Sequence, residues 1–143
     1  MKPILALAIT LALAEASTLN VHNRCGYRID VIRTENNVQP VLHCQLGPNQ
    51  YCTAQFGGRR GMNFKSGWGG LTLAEFSFEN GDGNDYYDLS VIVGFDVGMT
   101  LRSSDGTNLR CYERGCPDAY QYPGDNSKTH GVRTGGTFDL YFC

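Results

Sequence analysis

Alternating apolar and polar positions recur along most of the chain, and this pattern predicts short strands. The clearest case lies within residues 72–99, where two alternating runs flank a turn rich in Gly, Asn and Asp. Period-two alternation rich in aromatic and β-branched residues is typical of strands. Residues 72–78 and 85–93 are therefore predicted to form an antiparallel hairpin closed by residues 79–84.

The register of this hairpin predicts a pair of like charges. If Phe78 pairs with Asp85, then Glu75 faces Asp88 directly across the two strands. Side chains in that relation have Cβ atoms about 4.5–5.5 Å apart, and like charges there destabilise a sheet. A carboxylate pair that costs stability suggests a functional role.

The same alternation predicts further strands on both sides of the hairpin. No long helix, internal repeat or linker is indicated, so an all-β single domain is expected. Residues 38–42 are interrupted by a proline and are predicted to lie at a sheet edge. The other predicted strands are residues 18–23, 27–33, 51–56, 62–65, 94–101 (after a bend) and 137–143.

Residues 1–16 have the pattern of a secretory signal peptide. Lys2 precedes an apolar run from Ile4 to Ala14, and Ala14-Glu15-Ala16 is a small-x-small cleavage signal. We expect cleavage after Ala16, which leaves residues 17–143 as one exported domain. The apolar run is too short for a stable membrane anchor, and no later run suits one.

All six cysteines follow the predicted signal peptide, and they indicate a disulfide framework. An even number of cysteines in a small exported domain favours disulfides over catalytic or metal-binding thiols, although counting leaves the connectivity open. The histidines are dispersed and no ligand spacing typical of zinc occurs. The acidic turn at residues 80–85 fails as an EF-hand loop, because Asp85 and Val91 replace the required Gly and Glu. We therefore expect neither a metal nor another cofactor.

The charge balance bears on which partners are expected. The formal net charge is −2 and no basic block occurs, so neither nucleic acid nor an anionic membrane is expected as a partner. Two smaller features stay open. Trp68 suits either a sugar-stacking platform or a residue of the core or of a loop anchor, the second being favoured. Arg59-Arg60 suits either an anion site or, more often, a solvated loop.

Several motifs, in their order along the chain, resemble the thaumatin-like protein family. They are VHNRCGYRIDV, LGPNQ, TLAEFSF, DYYDLS, VGFDVGM, CPDAYQYP and a last strand ending FC. The resemblance covers nearly all of residues 17–143. The length resembles the small class, which lacks the family's disulfide-rich second domain; only residues 112–115 stand where that domain would be.

The resemblance implies an antiparallel β-sandwich of about ten strands stapled by disulfides. It implies that Cys25 joins Cys143 and that Cys44 joins Cys52. The family's usual partner cysteine is absent from residues 129–132, so the resemblance leaves Cys111 paired with Cys116. A monomer is expected.

The family's acidic cleft is associated with β-1,3-glucan binding and antifungal action. The resemblance places Glu75 (from LAEF) and Asp88 (from DYYDLS) in that cleft, with Lys65 replacing the family's arginine. Val93 replaces one aspartate and another has no counterpart, although Asp96 is a candidate for partial compensation. Tyr86 and Phe95 complete the set of expected cleft residues.

Three functions follow from these residues. The first, which we favour, is binding of β-1,3-glucan or a related cell-wall polysaccharide through a reduced acidic cleft, with a defence or antifungal role. The second is a weak endo-β-1,3-glucanase with Glu75 as the acid and Asp88 as the nucleophile or base. The third is a secreted interaction or effector protein. The pair also has a purely structural alternative, in which Glu75 and Asp88 bind Lys65 or a loop N–H.

Overall fold

A computed structural model describes residues 1–8 and 15–143, and its regular elements are all strands. Alternation of buried and half-buried side chains runs through β1, β6 and β7, as expected for strands with one face on a core. Within the described residues the strands are β1 Ser17–Asn23, β2 Ile29–Glu35, β3 Val38–Leu46, β4 Tyr51–Phe56, β5 Arg59–Ser66, β6 Leu73–Phe78, β7 Asn84–Ser90, β8 Met99–Ser103, β9 Asn108–Cys111, β10 Ala119–Tyr120, β11 His130–Arg133 and β12 Thr137–Phe142.

The strands form two sheets. The small sheet has the order β4-β1-β12-β8-β9, and the large sheet has the order β10-β7-β6-β5-β2-β3, with β11 also paired to β7. The all-β sandwich predicted from the sequence is confirmed. It is not wholly antiparallel, because β1 pairs with β12, and β10 with β7, in parallel.

The predicted hairpin is β6 and β7, in the predicted register. Glu75 pairs with Asp88, and Phe76 pairs with Tyr87. One detail differs: β7 ends at Ser90, whereas the alternation predicted a strand to Val93. Residues 91–94 instead form a turn in which the Gly94 N–H donates to the Val91 carbonyl.

Aromatic side chains join the two sheets across the core. Phe138 of the small sheet lies edge-on to Phe76, Phe78 and Tyr87 of the large sheet, with ring centroids 5.0–5.9 Å apart. Edge-to-face contacts of this kind stabilise beyond the burial of area alone. Phe138, Phe78 and Tyr87 are fully buried, so this cluster fixes how β6 and β7 lie on the small sheet.

Three disulfides close the fold, and they are the pairs that the resemblance implies. Cys25–Cys143 joins residues 118 apart in sequence, whereas Cys44–Cys52 and Cys111–Cys116 close short loops. No cysteine is free in the described residues. This content fits an oxidising compartment.

The segment preceding β1 is only partly described. The predicted apolar run of the signal peptide includes residues 9–14, which lie outside the described residues. In residues 1–8 and 15–143, no helix has the length and apolar character needed to cross a membrane.

Candidate functional site

An open polar groove lies on the outer face of the large sheet. Its volume is about 360 Å³. Because side chains alternate across a strand, the burial of Ala74 and Phe76 in the core turns Glu75 outward, and Asp88 is turned outward on β7 in the same way. The groove is lined by Asn36, Gly61, Met62, Asn63, Glu75, Phe76, Ser77, Tyr86, Asp88 and Thr129.

Glu75 and Asp88 form the acidic base of this groove. They are direct cross-strand partners, and both are half-buried. On the other side of Glu75, the cross-strand partner is Asn63 of β5. Two carboxyl groups thus lie side by side on neighbouring central strands, flanked by an amide.

The environment of Asp88 favours its protonated form. Burial raises the pKa of Asp88 to about 9, and Glu75 adds to this shift by sharing a hydrogen bond and by charge repulsion. Asp88 Oδ1 is buried and accepts no hydrogen bond from an N–H or O–H group of the described residues. A proton on Asp88 removes this deficit, since the protonated carboxyl can donate to the Glu75 carboxylate. At neutral pH Asp88 is therefore protonated.

Thr129 closes one side of the groove. Its hydroxyl donates to Asp88 Oδ2 at 3.4 Å, and Tyr120 Oη lies 2.8 Å from the same hydroxyl. Tyr120 belongs to β10, and Thr129 immediately precedes β11. Both strands pair with β7, which is why these groups lie beside Asp88.

A β-bulge shapes the opposite rim. The pairing of β5 with β6 shifts register between Arg59 and Met62, and Gly61 within the bulge has φ of 62°. This left-handed conformation suits glycine, and a Cβ here would lie 2.0 Å from the Asn36 side chain. The bulge thus brings the backbone of β5 close to Asn36 at the groove rim.

The structure places three of the six predicted cleft residues in the groove: Glu75, Asp88 and Tyr86. The other three lie outside its lining. Lys65 lies on β5 beyond Asn63 and forms no ion pair with either carboxylate among the described residues. Asp96 lies in the loop after β7, and its carboxylate binds the backbone there: Oδ1 accepts the Thr72 N–H at 2.9 Å. Phe95 packs against the hydrophobic core.

Four polar residues of the groove were missed from the sequence. Asn63 and Ser77 alternate with buried neighbours on β5 and β6, so the pattern of the strands places both on the outward face of the sheet. Asn36 and Thr129 lie in or next to loops, and no pattern in the sequence indicated them. Trp68 is 60% exposed, so it is not the core residue that one interpretation expected.

The residue types suit binding of a neutral polyhydroxyl ligand. Carboxylate, amide and hydroxyl oxygens accept hydrogen bonds from sugar hydroxyls, and amide and hydroxyl groups also donate. Elsewhere in the described residues, His43, Cys44 and Cys52 lie close enough to hold a metal ion. Both sulfurs are joined in a disulfide, however, which removes the thiolates that a metal needs.

Comparison with known proteins identifies the family. No family model matches the chain. A thaumatin-like protein of Oryza sativa subsp. japonica is 33% identical, over 98% of this chain and 93% of its own length. Thaumatin-like pathogenesis-related protein 4 of Avena sativa is 32% identical, over 97% of this chain and 94% of its own length. The chain therefore belongs to the thaumatin-like proteins, as its motifs predicted.

Solved structures agree with this fold. The protein elicitor MoHrip2 from Magnaporthe oryzae matches with a TM-score of 0.68, covering 89% of this chain and 98% of its own. The thaumatin-like xylanase inhibitor TLXI matches with a TM-score of 0.63, covering 87% of this chain and 98% of its own. Each is 19% identical to this chain, so the likeness concerns the fold alone.

Proposed function

We propose that this chain is a secreted defence protein that binds β-1,3-glucan or a related neutral wall polysaccharide in the groove containing Glu75 and Asp88. The observation that carries the proposal is the Glu75–Asp88 pair at the base of an open groove whose other polar groups are amides and hydroxyls. The pathogenesis-related names of the cereal relatives support the defence role. Secretion rests on the predicted signal peptide and the three disulfides.

The charge state of the pair favours a neutral ligand. With Asp88 protonated, the pair offers one hydroxyl donor and several acceptor oxygens, which suit the hydroxyl groups of a neutral sugar. Tyr86 adds an aromatic side chain at the groove wall, and its hydroxyl donates to Asp82 in the hairpin turn. That hydrogen bond orients the ring and lowers the pKa of Asp82.

A pull-down on insoluble polysaccharides tests this proposal. We expect retention on β-1,3-glucan but little on chitin or cellulose, and at least a tenfold weaker affinity for a Glu75→Ala/Asp88→Ala variant. Asp105→Ala is the matched control, because Asp105 lies in an exposed turn outside the groove. Equal retention on all three polymers, or unchanged retention of the double variant, would contradict the proposal.

A weak endo-β-1,3-glucanase is the second candidate, and the pKa of Asp88 supports it. Glycoside hydrolysis needs one protonated and one ionised carboxyl group, and a shared proton supplies both. Because the pKa of Asp88 is raised, we assign the acid role to Asp88 and the nucleophile or base role to Glu75, the reverse of the expectation from the sequence. Reducing-sugar release from laminarin tests this activity. Activity that survives in a Glu75→Gln variant would exclude it.

A further inference from the structure

A row of stacked rings and guanidinium groups crosses the outer face of the small sheet. His22 of β1 stacks on Tyr141 of β12, with ring centroids 4.4 Å apart, and on Tyr51 of β4 at 5.4 Å. The guanidinium carbons of Arg24 and Arg102 lie 3.8 and 5.2 Å from the centroid of the Tyr141 ring. Both arginines are thus held by cation–π contacts on one aromatic ring.

These cations lack carboxylate partners. No ion pair in the described residues includes Arg24 or Arg102. Asp139 is the one carboxylate on the five strands of this sheet. It is the cross-strand partner of Arg102, but no ion pair joins the two, and its Oδ1 already lies 2.8 Å from His22 Nε2 and accepts the Asn20 amide at 3.2 Å. The face therefore has a local excess of positive charge, although the whole chain is acidic.

A small recess adjoins the row. It has a volume of about 100 Å³ and is lined by His22, Asn23, Arg24, Asn49 and Gln50. Gln50 Oε1 accepts the Gly47 N–H at 2.7 Å, which fixes the side-chain amide and leaves its N–H groups for a ligand. Beside the recess, Tyr51 is 64% exposed. The recess suits a carboxylate or sulfate group, and the Tyr51 ring suits the C–H surface of a sugar.

We propose that this face is a second carbohydrate site, which binds an anionic polysaccharide through the carboxylate or sulfate groups on its sugars. A planar guanidinium recognises such groups through paired hydrogen bonds, and stacking on Tyr141 reduces the side-chain entropy lost on binding. The exposed face of a sheet accommodates several sugars of a chain in succession. This site lies on the sheet opposite the groove and prefers an anionic ligand, whereas the groove prefers a neutral one.

Affinity electrophoresis tests this inference with three polymers: polygalacturonate, its fully methyl-esterified form and dextran sulfate. We expect polygalacturonate, dextran sulfate or both to retard the protein. Retardation by polygalacturonate would show that carboxylates are bound, and retardation by dextran sulfate that sulfates are bound. The methyl ester should have no effect. An Arg24→Ala/Arg102→Ala variant should bind at least tenfold more weakly, and Tyr51→Ala should weaken binding without a change of charge.

Arg133→Ala/Arg114→Ala is the control, because it removes two exposed charges outside this row. Near-UV circular dichroism checks that each variant is folded. The inference is wrong if neither anionic polymer retards the protein, if the methyl ester binds equally, or if the control loses as much affinity as Arg24→Ala/Arg102→Ala. If the Arg24→Ala/Arg102→Ala variant does not fold, the Tyr51→Ala variant decides the question: retardation equal to that of the wild type would contradict the inference.

Discussion

The hydroxyl of Ser17, in the first strand, donates a hydrogen bond to the buried carboxylate of Asp85, 68 residues further along the chain. The other carboxylate oxygen accepts the Glu79 N–H at 2.7 Å and the Thr134 hydroxyl at 2.8 Å. The Gly135 N–H completes the group by donating to Ser17 Oγ at 3.0 Å. Asp85 therefore ties the two sheets together and holds the hairpin turn between β6 and β7.

Asp85→Ala should lower the free energy of unfolding by about 3 kcal/mol, since it leaves buried donors without acceptors. Chemical denaturation measures this change. Glu113→Ala is the control, because Glu113 is exposed and lies outside this hydrogen-bond group; its effect should stay below about 1 kcal/mol. Equal losses in the two variants would show that the Asp85 network does not stabilise the fold.

The carboxyl group of Asp88 should make the protein less stable as pH rises. Its pKa is raised to about 9 in the folded state, whereas an unfolded aspartate titrates near 3.8. The folded state thus holds a proton that the unfolded state releases. The stabilisation that this proton gives is complete below about pH 4 and is lost progressively as pH rises to about 9.

The Asp88→Asn variant tests this dependence, because the amide does not titrate. Relative to the wild type, its free energy of unfolding should increase steadily between pH 5 and pH 8. A difference that is independent of pH would contradict the raised pKa. NMR titration of the Asp88 carboxyl carbon in a Glu75→Gln variant should show a lower pKa than in the wild type.

His43 should make the protein less stable as pH falls, the opposite of the effect of Asp88. Burial and the nearby Arg33 lower its pKa from 6.5 to about 4. As pH falls from 6.5 to 4, the unfolded state gains a proton that the folded state does not bind, so stability is lost over this range. His43→Gln should remove that loss, as measured by denaturation at pH 4.5 and 7. An NMR midpoint of the His43 ring near 6.5 would refute this.

The disulfides should differ in their contribution to stability. Cys25–Cys143 closes a loop over a separation of 118 residues, and Cys111–Cys116 one over a separation of 5. The chain-entropy model gives about 5 kcal/mol for the first and about 2 kcal/mol for the second. Paired Cys→Ser variants, compared by denaturation, should therefore show the larger loss for Cys25–Cys143. Equal losses would contradict this order.

Much of the large sheet was predictable because its strands bury one face. The alternation in residues 72–78 and 85–90 yielded both the hairpin and the Glu75–Asp88 register. Strands β9, β10 and β11 were missed, because two to four residues are too few for a periodic signal. The parallel pairing of β1 with β12 was also missed, since the residues between them carry no indication of it.

The site was less predictable than the fold. Family motifs indicated Glu75, Asp88 and Tyr86, which share an outward face of two adjacent strands. Asp96 and Phe95 were also expected in the cleft, but they lie in the loop after β7 and do not line the groove. The cationic row was missed for a similar reason. Arg24 and Arg102 are distant in sequence, and only the sheet order brings both to Tyr141.

The position of β12 has a consequence for how the protein is made. This strand includes residues 137–142, yet it lies at the centre of the small sheet between β1 and β8. Because β1 is synthesised before β12, it cannot pair with this neighbour until all the residues between them have been made. The small sheet can therefore close only through pairing of strands that are distant in sequence, and such non-local pairing slows folding and leaves the apolar faces of β1 and β8 exposed for longer.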